Sequence, residues 1–137
     1  MDSLSFEKVW NEDGLFELRV EATSKYVSAF QDCYIPETDF IEIGNKLTDY
    51  ITAFNKKCYL EFGKKTGNYT PAFSLLFFPA DIHGYVKIEV DLEIDDNKSR
   101  SHRCKFFLDF ELGQVEHFAR SINQLLYSDI GFKASIG

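Results

Sequence analysis

Residues 84–94, GYVKIEVDLEI, alternate between apolar and charged side chains more regularly than any other segment of the chain. The positions of one parity are aliphatic: Val86, Ile88, Val90, Leu92 and Ile94. The positions of the other parity are charged: Lys87, Glu89, Asp91 and Glu93. Successive side chains of a β-strand point to opposite faces of its sheet. This period of two therefore predicts a strand with one face in the core and the other in water.

Shorter alternating or apolar runs, bounded by turn residues, predict further strands. They comprise residues 5–10, 15–22, 26–35, 58–62, 72–78 and 102–110. Residues 72–78, AFSLLFF, are apolar at both parities, which is typical of a central strand covered on both faces. Three aromatic side chains are not assigned to the core by any pattern: Trp10, Tyr69 and Phe107.

Two segments follow the helical period instead. Pro36 suits the first turn of a helix, and after it apolar side chains recur every three or four residues to about residue 55. A second stripe of this kind lies in residues 111–127. The order of elements predicts a single α+β domain over residues 1–137, in which two helices pack against an antiparallel β-meander sheet. A doubly wound parallel fold is excluded because helices and strands do not alternate.

We expect the strands 84–94 and 102–110 to form an antiparallel hairpin in which Ile94 faces His102. In this register every facing pair of charges is opposite in sign, and each such pair contributes about 0.2–1 kcal/mol. The expected pairs are Glu93 with Arg103, Asp91 with Lys105, and Lys87 with Asp109. Glu89 faces Phe107, so it is the carboxylate expected to lack a basic partner.

The carboxylates of Glu89, Asp91 and Glu93, which we call the acidic comb, allow three interpretations. Neighbours two apart on a strand lie roughly 6.5–7 Å apart and diverge. A hard cation, by contrast, needs several oxygens that converge on one point. We therefore interpret the comb as the solvent face of a strand that is neutralised by its neighbour. A docking surface and an acid/base or metal site are the alternatives.

Motifs for catalysis or metal binding are missing from the sequence. The cysteines are far apart, no pair of Cys or His has the spacing of zinc ligands, and no glycine-containing run matches a phosphate loop. The best single candidate for acid/base chemistry is His83, near Asp81. The favoured alternative is a turn in which the Asp81 carboxylate bonds local backbone. We therefore predict no catalytic residues, no metal and no cofactor.

Charge is distributed unevenly along the chain. Residues 1–50 hold 11 acidic and four basic side chains, a net charge of −7, whereas residues 51–137 hold 11 of each. A nucleic acid is an unsuitable partner because its phosphates require a basic surface, while an acidic surface suits a basic protein. The alternative explanation of this excess negative charge is that it serves solubility alone.

Turns and helix starts are usually exposed, so the candidate partner-binding residues are the carboxylates of the first turn and the first helix start. They are Glu12, Asp13, Glu37, Asp39 and Glu42, with the acidic comb as a second surface. The presence of Asp39 at the helix start is better explained by its favourable interaction with the helix dipole than by partner binding.

The sequence also indicates a compartment. The first residues, MDSLSFEKVW, show no basic region followed by an apolar run, so we expect no signal peptide. No stretch approaches the ~18 apolar residues of a membrane span. Three cysteines without a pairing pattern are typical of reduced thiols. These features predict a cytoplasmic protein with no membrane partner.

The strand GYVKIEVDLEI and the segment ELGQVEHFARSINQLL, within an acidic chain of this length, resemble small bacterial immunity proteins. Such proteins neutralise the toxins of contact-dependent or wall-associated growth-inhibition systems. The resemblance covers roughly residues 75–127. It implies a cytoplasmic protein that occludes a cognate toxin domain, often a nuclease, without chemistry of its own. No functional residue is carried over, because these proteins bind toxins through differing surfaces.

A small enzyme or ligand-binding domain, with a pocket between sheet and helices, is the alternative function. A buried polar pocket with a perturbed His or carboxylate would favour the enzyme. A flat acidic face would favour the inhibitor. The sequence leaves the oligomeric state open.

Overall fold

A computed structural model describes residues 2–63, 72–94 and 102–137, with the backbone alone for Ile94 and His102. The first half contains β1 (Ser3–Glu12), β2 (Leu15–Thr23), β3 (Ser28–Pro36), α1 (Glu37–Ala53) and β4 (Cys58–Phe62). The second half contains β5 (Ala72–Phe77), β6 (Tyr85–Ile94), β7 (His102–Glu111), α2 (Leu112–Leu125) and β8 (Lys133–Ile136). The predicted α+β class is confirmed.

The predicted antiparallel strands with helices packed against them are present, and they are divided between two sheets instead of one. The first sheet has the order β3-β2-β1-β8 and the second the order β4-β5-β6-β7. Two features separate the first sheet from the second. The helix α1 lies between β3 and β4 in the chain, and β1 is paired on both sides, with β2 and β8. As predicted, β5 is a central strand, and its residues are buried at both parities except for the half-buried Leu76.

Strand β8 was not predicted from the sequence. It has four residues, of which Ala134 and Ile136 are buried, and it pairs with Leu4 to Glu7 of β1. A segment this short carries too little alternation to indicate a strand.

Both sheets and both helices contribute to one cluster of buried apolar residues. The ring of Phe6 on β1 meets Phe62 of β4 at 4.9 Å and Phe118 of α2 at 5.3 Å between centroids. The helix α1 joins the same cluster, because Phe40 lies 5.1 Å from Phe16 of β2. The outer faces of the two sheets point away from this cluster.

The ends of α1 follow from local chemistry. Pro36 precedes the helix with extended backbone (φ −64°, ψ 146°), and Phe54 ends it in the left-handed conformation (φ 55°). Gly44 is buried where α1 crosses α2, and a Cβ built on it would clash with the carboxamide of Asn123. A side chain at Gly44 would therefore require the exposed Asn123 side chain to move aside.

The predicted hairpin register is confirmed over its whole length. β6 and β7 pair from Tyr85 with Glu111 to Ile94 with His102, and Asp91 faces Lys105. The ion pairs run diagonally across this register. Arg103 Nη2 lies 2.7 Å from Asp91 Oδ2, and Lys105 Nζ lies 3.2 Å from Glu89 Oε1.

The expectation that Glu89 lacks a basic partner is therefore wrong. Long basic side chains reach the diagonal neighbour on the adjacent strand as readily as the directly facing one. The ring of Phe107, which faces Glu89, instead contacts the ammonium group of Lys87, whose Nζ lies 5.7 Å from the ring centroid.

No helix in the described part of the chain combines the length and the apolar character needed to cross a bilayer.

Candidate functional site

The first turn positions two of the candidate carboxylates at one end of the first sheet. Strands β1 and β2 are joined by Asp13 and Gly14, and both residues have positive φ, 46° and 79°. An Asp-Gly pair in this conformation makes the tight turn whose twist matches that of the flanking strands. Glu12 precedes the turn and faces Leu15 across the hairpin. Both carboxylates are thereby held at the tip of a rigid hairpin.

The start of α1 lies against the same turn. The register of β2 with β3 sets Leu15 opposite Pro36, and the backbone N–H of Glu37 donates to the carbonyl oxygen of Gly14 at 2.8 Å. The turn and the helix start are distant in the chain, yet one backbone hydrogen bond joins them.

The structure thus brings Glu37 beside the turn that bears Glu12 and Asp13. We use the name acidic end for these residues together with Asp39 and Glu42, which follow on α1. It comprises Glu12, Asp13, Glu37, Asp39 and Glu42, and all five are exposed. Within the described residues none of the five forms an ion pair. Glu37 and Asp39 lie in the first turn of α1, where a negative charge also favours the helix dipole. The acidic end is therefore a surface of uncompensated negative charge.

The acidic comb lies elsewhere, on the outer face of the second sheet. Asp91 is only 5% exposed and accepts two hydrogen bonds from Arg103, from Nε at 3.0 Å and from Nη2 at 2.7 Å. This carboxylate raises the pKa of the Arg103 guanidinium. Glu89 is paired with Lys105, and Glu93 is half-buried between Ala72 and Arg103 on the neighbouring strands. Two carboxylates of the comb are thus occupied in ion pairs that join β6 to β7.

A cavity of about 690 Å³ lies between the second half of α1 and the start of β4. Sequence reasoning did not locate it. Its lining combines lysines, aromatic rings and a thiol: Lys46, Asp49, Tyr50, Thr52, Ala53, Asn55, Lys56, Lys57, Cys58 and Tyr59.

The thiol and the two phenol groups that line the cavity are protonated at neutral pH. Burial raises the pKa of the Cys58 thiol to about 11 and that of Tyr59 to about 12, and the Tyr59 hydroxyl also donates to Glu61 at 2.8 Å. Burial likewise raises the pKa of Tyr50, whose hydroxyl donates to the carbonyl oxygen of Phe78 at 2.6 Å. A protonated thiol or phenol is a poor nucleophile and a poor base. The cavity is therefore better suited to holding a ligand than to acid/base chemistry.

The interpretation of Asp81 as a turn residue is confirmed. Its Oδ1 accepts the backbone N–H groups of His83 and Tyr85, both at 2.9 Å. The N–H of Tyr85 is the main cause that lowers the pKa of Asp81. His83 is exposed beside it. In the described ranges no group of three or more His, Cys, Asp or Glu side chains is arranged to hold a metal ion.

Two of the three unassigned aromatic side chains lie on outer sheet faces. Phe107 is 47% exposed on the second sheet, and Trp10 is half-buried on the first, where its ring contacts Tyr34 at 5.9 Å. Tyr69 lies outside the described residues. The sequence did not indicate Phe30 and Tyr34, which are 61% and 49% exposed on the outer face of the first sheet.

No protein-family model matches the sequence, and no curated protein matches it. Function is therefore inferred from the acidic end, the cavity and the exposed aromatic faces.

Proposed function

We propose that this protein is a non-catalytic immunity protein, which binds and neutralises a basic toxin domain such as a nuclease. The observation that carries the proposal is the acidic end. The backbone hydrogen bond from Glu37 to Gly14 holds the exposed Glu37 beside the turn that bears Glu12 and Asp13, so carboxylates of two separate segments are adjacent there.

Uncompensated charge of one sign on a rigid surface favours a partner of the opposite sign. Such a surface steers a basic protein to its site and raises the association rate by about 10–10³-fold at low salt. The dipole of α1 explains the charges of Glu37 and Asp39 in its first turn, whereas Glu12 and Asp13 belong to the β1–β2 hairpin. The toxin is the inferred partner because the acidic chain resembles small immunity proteins.

We place the interface on the acidic end, and we assign the acidic comb a structural role. A partner that used Asp91 would have to displace Arg103, which donates two hydrogen bonds to this nearly buried carboxylate. Charge-assisted bonds of this kind are the strong ones, so the comb is a poor site for a competing partner.

A ligand-binding domain is the second candidate, favoured by the cavity between α1 and β4. Its size suits a small molecule, since ligand sites commonly measure about 300–1,000 Å³. The protonated state of Tyr50, Cys58 and Tyr59 supports binding over catalysis.

In the proposed role the protein acts in the cytoplasm, where cysteines stay reduced. Cys33, Cys58 and Cys104 are free thiols, which fits that compartment.

The proposal is tested by capture followed by a growth assay. The tagged protein is used to isolate a stoichiometric partner from the cells that make it, and the partner's gene is then expressed alone in a neutral host. We expect a basic protein that arrests growth, and we expect co-expression of the present chain to restore growth. A partner that leaves growth unaffected, or an arrest that co-expression does not relieve, would overturn the proposal.

A further inference from the structure

The outer face of the first sheet carries a row of three side chains next to the acidic end. Trp10 of β1 faces Glu17 of β2, and Glu17 faces Tyr34 of β3. The rings of Trp10 and Tyr34 meet edge to face at 5.9 Å, so they contact each other across the strand that bears Glu17. We call these three residues the aromatic row.

The neighbouring row of the same face shows what such side chains bind. Arg19 of β2 donates from Nε to Asp32 Oδ1 at 2.8 Å and from Nη2 to Asp32 Oδ2 at 3.1 Å. Its guanidinium carbon lies 5.8 Å from the centre of the Phe30 ring. This face therefore already holds one arginine between a carboxylate and an aromatic ring.

The aromatic row repeats the carboxylate and the rings, without the arginine. Glu17 is half-buried and forms no direct ion pair or hydrogen bond within the described residues, although its charge helps to raise the pKa of Arg19, two positions along the same strand. Because the guanidinium of Arg19 is bound by Asp32, no cation in the described part of the chain touches the Glu17 carboxylate, and a second guanidinium placed beside it would form charge-assisted hydrogen bonds.

We propose that the aromatic row binds an arginine side chain presented by the basic partner protein. This inference rests on the proposed function for the identity of that partner. It names a specific contact with the partner, which the charge of the acidic end does not provide. A guanidinium group is planar, stacks on aromatic rings and pairs with a carboxylate in two-pronged fashion, so it fits this row better than an ammonium group.

The position of the row supports this assignment. The next row along the same strands is Glu12, Leu15 and Pro36, so the aromatic row lies one step of about 6.5–7 Å from the acidic end. The acidic end would accelerate the encounter. The aromatic row would slow dissociation, because tryptophan and tyrosine commonly supply the dominant contacts of protein interfaces.

The single tryptophan of the chain makes the site directly measurable. The purified protein is titrated with capped tetra-arginine, while the emission of Trp10 is recorded. Tetra-citrulline, which has the same shape without the charge, and tetra-lysine are the comparison peptides. We expect a saturable change with tetra-arginine, binding at least fivefold weaker with tetra-lysine, and no response to tetra-citrulline.

Two variants and a matched control locate the binding. Glu17→Gln and Tyr34→Ala are expected to weaken tetra-arginine binding at least fivefold. Tyr85→Ala removes a tyrosine of equal exposure, 49%, from the outer face of the second sheet and is expected to change nothing. An equal response to citrulline, an unchanged affinity in Glu17→Gln, or an equal loss in Tyr85→Ala would overturn the arginine site.

The arginine site and the immunity function can be contradicted independently of each other. If the captured toxin is neutralised as well by Glu17→Gln and Tyr34→Ala as by the parent protein, with unchanged dissociation rates, the aromatic row is not the contact and the immunity function stands. If tetra-arginine binds as expected and no toxin is neutralised, the arginine site stands and the proposed function is wrong.

Discussion

Lys8 shows how a single residue fixes the end of a helix. Its side chain is 2% exposed, and Nζ donates to the carbonyl oxygens of Leu125, Leu126 and Ser128 at 3.4, 3.2 and 3.0 Å. Carbonyl groups at a helix C-terminus lack partners within the helix and carry negative partial charge. The ammonium group therefore joins β1 to the end of α2.

We expect Lys8→Met to lower the free energy of unfolding by about 2–3 kcal/mol, since hydrogen bonds from a charged donor contribute about 1.5–3 kcal/mol each and solvent recovers part of the loss. The measurement is urea denaturation. Lys133→Met, at an exposed position of β8, is the control and should change stability by no more than about 0.5 kcal/mol. Equal stability of the two variants would show that the three contacts contribute nothing.

Gln31 is a second residue whose environment predicts a change in stability. It is 3% exposed on the inner face of β3, and neither amide atom has a hydrogen-bond partner in the described structure. Burying such a group costs about 1–3 kcal/mol. Gln31→Met keeps the length of the side chain, and we expect it to raise the free energy of unfolding by about 1 kcal/mol or more. A lower stability in the same denaturation experiment would mean that the amide is bonded in solution.

The buried thiols give a dependence on pH. Burial raises the pKa of Cys33 to about 12 and that of Cys58 to about 11, above the value of 9.0 for a free thiol. Between pH 9 and about 12 the unfolded chain releases protons that the folded chain retains. The two thiols therefore leave the free energy of unfolding unchanged below pH 9, and they lower it as the pH rises above 9.

Thiol labelling tests the same groups. At about pH 8 a disulfide reagent should modify the half-buried Cys104 quickly, and it should reach Cys33 and Cys58 only at the rate of unfolding. Mass spectrometry of the labelled peptides identifies the modified residues. Rapid modification of Cys33 would contradict its position in the core.

At the scale of elements, the register of the β6–β7 hairpin was predicted correctly, although its ion pairs run diagonally across that register. The two strands are close in the chain, their apolar parity selects the buried face, and the signs of their charges favour the observed register over one shifted by two, which keeps two pairs of opposite charge. Hairpins between neighbouring strands leave few alignments to compare, and for this reason Asp91 was correctly placed opposite Lys105.

Elements that pair across long distances could not be predicted in this way. The pairing of β8 with β1 joins the two ends of the chain, and no local pattern indicates it. The same limit applies to the candidate site. Glu12, Asp13 and Glu37 were each predicted to be exposed, but their adjacency depends on the register of β2 with β3. The aromatic row depends on the same register and was missed for the same reason.

The hairpin register makes a strong prediction for Val90. It is fully buried between Leu75 of β5 and Phe106 of β7. Val90→Asp would place a carboxylate there without a partner, and we expect a loss of at least about 4 kcal/mol, a large part of the roughly 5–15 kcal/mol that stabilises a typical domain. Circular dichroism and urea titration measure it. Lys87→Thr, on the exposed face of the same strand, should fold normally, and a Val90→Asp protein as stable as the parent would argue against this packing.

At the scale of the whole molecule, the net charge of −7 matches the excess carried by residues 1–50, which include the acidic end. Replacing Glu12, Asp13, Glu37 and Glu42 with Gln or Asn removes four of these charges from exposed positions. We expect thermal stability to change little, because exposed substitutions commonly change it by no more than about 0.5 kcal/mol each. With the captured toxin we expect association at low salt to slow by at least about tenfold and to depend less on salt.

A control with the same net charge separates location from total charge. Asp49→Asn, Glu61→Gln, Asp109→Asn and Asp129→Asn remove four exposed carboxylates outside the acidic end. If only the total charge of the protein matters, both fourfold variants should associate more slowly than the parent by the same factor. Docking at the acidic end predicts that the first variant slows much more than the control. Stopped-flow mixing at several salt concentrations gives both rates. If the first variant associates and protects like the parent protein, the acidic end serves only solubility, and the acidic comb becomes the next surface to substitute.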